Sequence, residues 1–272
     1  MHKTAVAAAL FLVGTSFVPR IASADTSITA AGSTALLPLV KAAADQYQSQ
    51  HPDVKIAVSG GGSGTGINQV VQKAVDIGDS DIMAAGHPEL VDHRVAAVGF
   101  ALIAHPGVRV TNLTKKQIQD IFSEKVQNWK DVGGADVKIT VINRPRNSGT
   151  RAVFTKTIMG DVSISSAGLT EDATGSVVTT VKSTPGAISY AAFSGTHNQQ
   201  GIVELKIDGV APTDENVQSG KYPVWSYEHM YTNGPPNAAI SRFLAFVTSN
   251  SELLHKAGYI LIRDMRVHES DR

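Results

Sequence analysis

The stretch Arg144-Pro145-Arg146-Asn147-Ser148-Gly149-Thr150-Arg151 gathers guanidinium groups, two hydroxyls and a glycine between two periodic runs. Before it, Val137, Ile139 and Val141 alternate with polar residues as in a strand. After it, Val153, Phe154, Thr157 and Ile158 recur at a helical period. Ser148 and Gly149 therefore stand where a helix begins, among unpaired backbone N–H groups and the positive end of the helix dipole. Such a place suits an oxyanion. An ordinary capped helix beside a solvated arginine would read the same way in isolation, so the rest of the chain has to decide.

Two further strand-to-helix connections repeat the chemistry. Residues 26–30 alternate with Ile28 inward and run into Ala31-Gly32-Ser33-Thr34. Leu36, Leu37, Val40, Ala43, Ala44 and Tyr47 then mark one face of a helix that must stop near His51-Pro52. Ser33 or Thr34 is its natural N-cap. Val54, Ile56 and Val58 predict the next strand, followed by the glycine-dense run Ser59-Gly60-Gly61-Gly62-Ser63-Gly64-Thr65-Gly66 and a helix carrying Ile67, Val70, Val71 and Ala74. Glycines there let backbone N–H groups approach a ligand without a Cβ between them. The run is not a P-loop, because Ile67 rather than Lys follows Gly66. It fits neither the dinucleotide fingerprint nor the nucleophile elbow. The acids of Asp76-Ile77-Gly78-Asp79-Ser80-Asp81 lack the ligand series of a calcium loop.

These loops need a scaffold that points them to one place. Residues 95–104 are almost wholly apolar, as in a strand buried on both faces, and Thr114-x-x-Gln117 opens a helix with a capping box. Further on, the pattern predicts a helix near 177–182, strands at 187–190 and 203–207, a short helix at 212–217, a returning strand at 222–225, helices at 237–247 and 251–257, and a loose charged tail at 263–272. Alternating strands and helices with short connections mean an α/β fold with largely parallel sheets. Ligands of such sheets bind beyond the carboxyl ends of strands, where all three candidate loops lie.

Composition narrows the setting. His2 and Lys3, an apolar run at 5–18 and Ala22-Ser23-Ala24 read as a signal peptide cleaved after Ala24. No cysteine is present, which removes disulfides, thiolate metal sites, a cysteine nucleophile and a lipid-modified cysteine. With 42% hydrophobic residues, core burial must supply the stability. Basic and acidic residues balance at 24 each, so nothing points to nucleic acid or a lipid surface. The nine histidines form no HExxH pair, and no catalytic residue or cofactor is expected.

In order and spacing, Ala31-Gly32-Ser33-Thr34, Gly62-Ser63-Gly64-x-Gly66, Gly78-x-Ser80-Asp81 and Arg144-x-x-x-Ser148-Gly149-Thr150-Arg151 resemble the phosphate-binding receptors of bacterial phosphate ABC importers. Leu113-Thr114 to Ile121-Phe122, Asn128-Trp129 and Val210-x-Pro212-Thr213-x-Glu215-Asn216-Val217 extend the likeness from about residue 28 to 231. The resemblance implies a type II periplasmic-binding-protein fold, with two lobes of mostly parallel sheet joined by two crossover strands. One lobe would be residues 25–104 with 226–272, the other 105–225. It implies a receptor that binds inorganic phosphate and delivers it to a membrane permease, and the signal peptide with no lipobox cysteine points to a periplasmic protein without a lipid anchor, expected as a monomer. Phosphate would meet Thr34, the amide of Ala35, Ser63, Asp81, Arg144, Ser148, Gly149 and Thr150. Arg144 is the ligand arginine by its position four residues before Ser148, while Arg146 and Arg151 are field or structural residues. Asp81 would accept the proton that hydrogen phosphate carries and sulfate lacks, and Asp79 would cap or accept from neighbouring backbone. The competing readings are a same-fold receptor for another oxyanion, an exported adhesion or signalling protein, and a hydrolase using Ser63 or Ser148.

Overall fold

Short apolar strands, each feeding a helix from its carboxyl end, build the molecule. The computed structural model describes residues 26–267. The first part contains β1 (Thr26–Gly32), α1 (Leu37–Gln50), β2 (Val54–Gly60), α2 (Ser63–Val71), β3 (Ile77–Ser80) and the long β4 (Leu90–Ala104). Next come β5 (Asn112–Leu113), α3 (Lys115–Phe122), β6 (Thr140–Asn143), α4 (Gly149–Phe154), β7 (Leu169–Thr170), α5 (Thr174–Ser183) and β8 (Ala187–Ala192). The chain finishes with α6 (Phe193–Thr196), β9 (Val203–Ile207), α7 (Asp214–Gln218), β10 (Trp225–Asn233), α8 (Ala238–Ser249) and α9 (Ser251–Lys256). The predicted signal peptide at 1–24 and the end of the tail at 268–272 lie outside the described residues.

The strands run in the order β2-β1-β3-β10-β4-β8-β6-β7, with β9 on β4 and β5 on β9. Pairing is parallel between β1 and both β2 and β3, and between β6 and both β7 and β8. It turns antiparallel at the centre, where β10 meets β3 and β4, and β4 meets β8 and β9. Two groups of parallel strands thus flank the antiparallel β4–β10 pair. Every residue of β4 from Val95 to Ala104 is buried, as its unbroken apolar run predicts.

The helices stand where periodicity places them. α1 buries Leu39, Val40, Ala43, Ala44 and Tyr47, and Tyr47 meets Phe243 of α8 edge-on at 5.6 Å. The capping box at α3 forms between Thr114 and Gln117. Under α4, Phe154 stacks on Tyr190 of β8 at 4.0 Å and touches Phe122 of α3 at 4.8 Å. This aromatic stack fixes the helix whose first turn bears Ser148, Gly149 and Thr150.

Two sequence expectations need correction. The returning strand is Trp225–Asn233 rather than 222–225, and Tyr222 and Val224 are buried in the approach to it. Its polar residues Ser226, Glu228 and His229 are all buried between β3 and β4. The tail is not loose through Val267: the Arg266 N–H donates to the Gln218 carbonyl at 2.9 Å, and the Tyr227 hydroxyl to that of Val267 at 3.3 Å.

Candidate functional site

Arg144 follows β6, and only 1% of it is exposed. One of its nitrogens, Nη2, donates to Thr34 Oγ1 at 3.0 Å and to the Asp172 carbonyl at 3.1 Å. Nε and Nη1 are also buried and have no protein acceptor among the described residues. Burial pulls the guanidinium pKa down, with Asp81 opposing that shift. A buried cation with two unused donor nitrogens is costly unless an anion meets it. Arg151 has a different use: its Nη1 donates to the Arg144 carbonyl at 2.5 Å and braces the backbone there. Arg146 is exposed.

The opposite charge sits directly after β3. Asp81 is 2% exposed and receives hydroxyls from two directions, Ser33 at Oδ1 and Thr150 at Oδ2, the latter at 2.9 Å. The direction of the Ser33 bond is fixed. Ser33 Oγ already accepts the N–H groups of Ala35 and Leu36, both at 3.0 Å, so its own hydrogen must go to Asp81. Asp81 is therefore an acceptor. Burial raises its pKa, and the bonds from Ser33 and Thr150 and the charge of Arg144 pull it back.

The remaining hydroxyls are left with hydrogens to give. Ser63, the first residue of α2, is fully buried, and its Oγ accepts the Asp81 N–H at 2.9 Å. Ser148 caps α4, with its Oγ accepting the Arg151 N–H at 3.2 Å. Thr34 Oγ1 accepts from Arg144. Each of the three O–H groups is thus free to donate to an oxygen ligand, alongside the first-turn N–H groups of α4. Such a cluster can bind an oxyanion, with Asp81 ready to accept any proton it carries. Two clefts reach the cluster, one of about 250 Å³ that includes Asp81, Met83 and Trp225, another of about 520 Å³ that includes Thr34 and Asn147.

The two groups of loops touch across the site. Asn147 donates from Nδ2 to the Gly61 carbonyl at 2.8 Å and to Thr65 Oγ1 at 3.0 Å, and its carbonyl accepts the Gly64 N–H at 3.0 Å. Gly62, at φ +90°, lies so close to the Asn147 carbonyl that a Cβ would come within 2.8 Å of it. Gly149 is tighter still: a Cβ there would overlap Ser63 Oγ. Gly149→Ala is expected to weaken ligand binding about ten- to a hundredfold by holding the loops apart, the usual 1–3 kcal/mol of overpacking. Its melting temperature without ligand should change little, and calorimetry beside thermal unfolding checks both.

Residues 19–251 match the family model of the PBP superfamily domain. The phosphate-binding protein PstS of Bacillus subtilis (strain 168) is 42% identical over 252 residues, which cover 90% of this chain and 83% of that protein. The chain belongs to the PstS family. PstS of Borreliella burgdorferi is 24% identical over 93% of this chain and 97% of its own length. Among solved structures, a Clostridium perfringens protein described as a phosphate ABC transporter substrate-binding protein, with phosphate bound, superposes at TM-score 0.82. It is 28% identical and covers 87% of this chain and 100% of its own. An ABC-type phosphate transport receptor from Vibrio cholerae superposes at TM-score 0.71 with 27% identity, covering 86% and 99%. The fold of this PstS-family chain is thus the type II periplasmic-binding-protein fold, and its relatives are transport receptors rather than enzymes.

Within the PstS-family chain, Thr34, Ser63, Asp81, Arg144, Ser148, Gly149 and Thr150 come together in one buried cluster. Ala35 is placed beside them, but its N–H donates to Ser33 Oγ, so a ligand would compete with that bond. Asp79 differs from expectation. Its side chain is fully buried and neither oxygen has a hydrogen-bond partner among the described residues, so it neither caps nor accepts from backbone. Burial first, and then the charge of Asp81, push its pKa well up. It is the Asp79 carbonyl that accepts, from the Ser33 N–H at 2.8 Å. The sequence reading missed Ser33 as a donor to Asp81, Asn147 as the bridge and the Asp172 carbonyl as a partner of Arg144. Asn147 had a signal in its place next to Ser148, whereas a backbone carbonyl such as that of Asp172 leaves none.

Proposed function

We propose that this chain is an exported receptor that binds inorganic phosphate between two lobes and delivers it to the membrane permease of a phosphate ABC importer. The observation that carries this reading is the buried Arg144, with Nε and Nη1 unpaired, beside an Asp81 held as an acceptor. A cation and helix N-termini suit the negative oxygens of hydrogen phosphate, and an acceptor suits its one O–H. The phosphate named for the B. subtilis relative, and bound in the C. perfringens structure, supports the same ligand. In this reading one lobe is residues 25–104 with 226–272 and the other 105–225, and β4 and β10 cross between them. Hinge closure would bring Arg144 and α4 against Thr34, Ser63 and Asp81.

Export rests on the predicted signal peptide at 1–24, and the absence of cysteine argues against a lipid anchor. Among the described residues, no helix is long and apolar enough to cross a membrane. The working form in this reading is a monomer.

Calorimetric titration of the phosphate-free mature protein at neutral pH tests the proposal. Phosphate should bind tightly and sulfate should give no response. Equal binding of both would overturn the proton-reading role of Asp81, and binding of neither would overturn the receptor function.

A further inference from the structure

β10 places a carboxyl group behind the site that no sequence motif announces. Glu228 is 0% exposed and sits where β10 and β4 change register, with Val95 of β4 as the extra residue. Bulges of this kind re-aim side chains near functional sites. On its other side β10 pairs with β3, His229 opposite Ser80 and Met230 opposite Asp79, so the ladder continues to set Glu228 across from Asp81, on the sheet face that also carries Asp79. Tyr259, which follows α9, lies near enough to feel the Glu228 charge.

Nothing positive answers it. Neither Glu228 oxygen receives a hydrogen bond from another protein group among the described residues. Tyr259 cannot supply one, because its hydroxyl hydrogen goes to the Ala35 carbonyl. His229, the next residue, is paired with Asp92 at 2.8 Å, and Arg144 directs its charge to Asp81. Two ionised carboxylates side by side here would repel and leave the Glu228 lone pairs unfilled. One proton on Glu228 removes both problems, since it turns an orphaned acceptor into a donor. The proton belongs on Glu228 rather than Asp81, because Ser33 and Thr150 already donate to Asp81. The surroundings act in the same sense: burial foremost, then the charge of Asp81, push the Glu228 pKa well above the usual carboxylate range.

We propose that protonated Glu228 donates to Asp81 and thereby acts as a positioning residue for oxyanion selectivity. A carboxylate offers about four acceptor positions. Ser33 and Thr150 fill two of them, and the proton on Glu228 fills a third, leaving Asp81 one for the O–H of the ligand. Without the third donor Asp81 takes up a proton more readily, and a protonated Asp81 no longer rejects an oxyanion that has none. The selectivity part rests on the phosphate reading given above; the location of the proton does not.

Three measurements test it. In the ligand-free wild type at neutral pH, infrared difference spectroscopy should show a buried, protonated carboxyl stretch of which one component vanishes in Glu228→Gln. Phosphate and sulfate titrations from pH 5 to 8 then compare Glu228→Leu with Glu228→Gln. The leucine variant should lose about tenfold in phosphate affinity, as for one lost hydrogen bond to a charged group. It should also begin to bind sulfate at a higher pH than the wild type does. Glutamine, which keeps an N–H donor, should rescue both properties. An infrared spectrum unchanged by Glu228→Gln overturns the proposal, even if the wild type binds no phosphate. A leucine variant with wild-type selectivity across the pH range overturns it too. Should the leucine variant not fold, loss of sulfate exclusion in Glu228→Gln has the same force.

Discussion

Arg144→Ala is expected to weaken phosphate binding by roughly 2–5 kcal/mol, a loss of about thirtyfold to several thousandfold. The size follows from where the charge sits. Arg144 is 1% exposed, so water cannot replace the guanidinium against a bound anion. Truncation also leaves Thr34 Oγ1 and the Asp172 carbonyl without the donor they share, and Asp81 without its cation. Arg144→Lys should recover little of the loss, because one ammonium cannot hold Thr34 and Asp172 while presenting two further nitrogens to an oxyanion. The ligand-free protein should behave differently. Its two unpaired buried nitrogens are a cost in the absence of anion, so the alanine variant should melt close to the wild type. Titration calorimetry and thermal unfolding on the same sample separate the two effects. Wild-type phosphate affinity in Arg144→Ala would rule out this site.

Much of this site was legible because its parts are local. A strand, a turn of glycine and hydroxyl residues and a helix occur in succession at Gly32-Ser33-Thr34, around Ser63 and around Ser148, so each loop declares itself within a few residues. The long apolar β4 declared its double burial in the same way. What stayed hidden depends on residues far apart in the chain. The direction of the Ser33 bond follows from the folding of Ala35 and Leu36 back onto its oxygen. The Asn147 bridge spans 86 residues to Gly61. β10 extends beyond the apolar run at 222–225 because Glu228 and His229 break the alternation, and only the strands on either side make them interior. Asp79 differs for a similar reason, since a carboxyl beside a turn reads as a cap or an acceptor of nearby backbone N–H groups until β1 and β10 close over it.

Asp81→Asn should change which anion binds more than how tightly phosphate binds. The amide keeps one acceptor, Oδ1, which can still take the fixed hydrogen of Ser33. Nδ2 then replaces Oδ2, and the Thr150 hydroxyl can turn to accept from it. On the ligand side a donor now stands where an acceptor stood. Hydrogen phosphate loses the partner of its O–H, but it also loses a repelling negative charge, so its affinity should shift by no more than about tenfold. Sulfate has no proton at neutral pH and gains on both counts. The phosphate-to-sulfate preference should therefore shrink by a factor on the order of 10²–10³. Acid should imitate the substitution. Burial raises the Asp81 pKa, so lowering the pH protonates it at a milder acidity than an exposed aspartate would need. Wild-type protein should then begin to admit sulfate as the pH falls, whereas sulfate binding by Asp81→Asn should show no such step. Competition titrations at neutral and acidic pH measure both curves. A variant that still excludes sulfate at neutral pH would show that the proton of the ligand is read elsewhere.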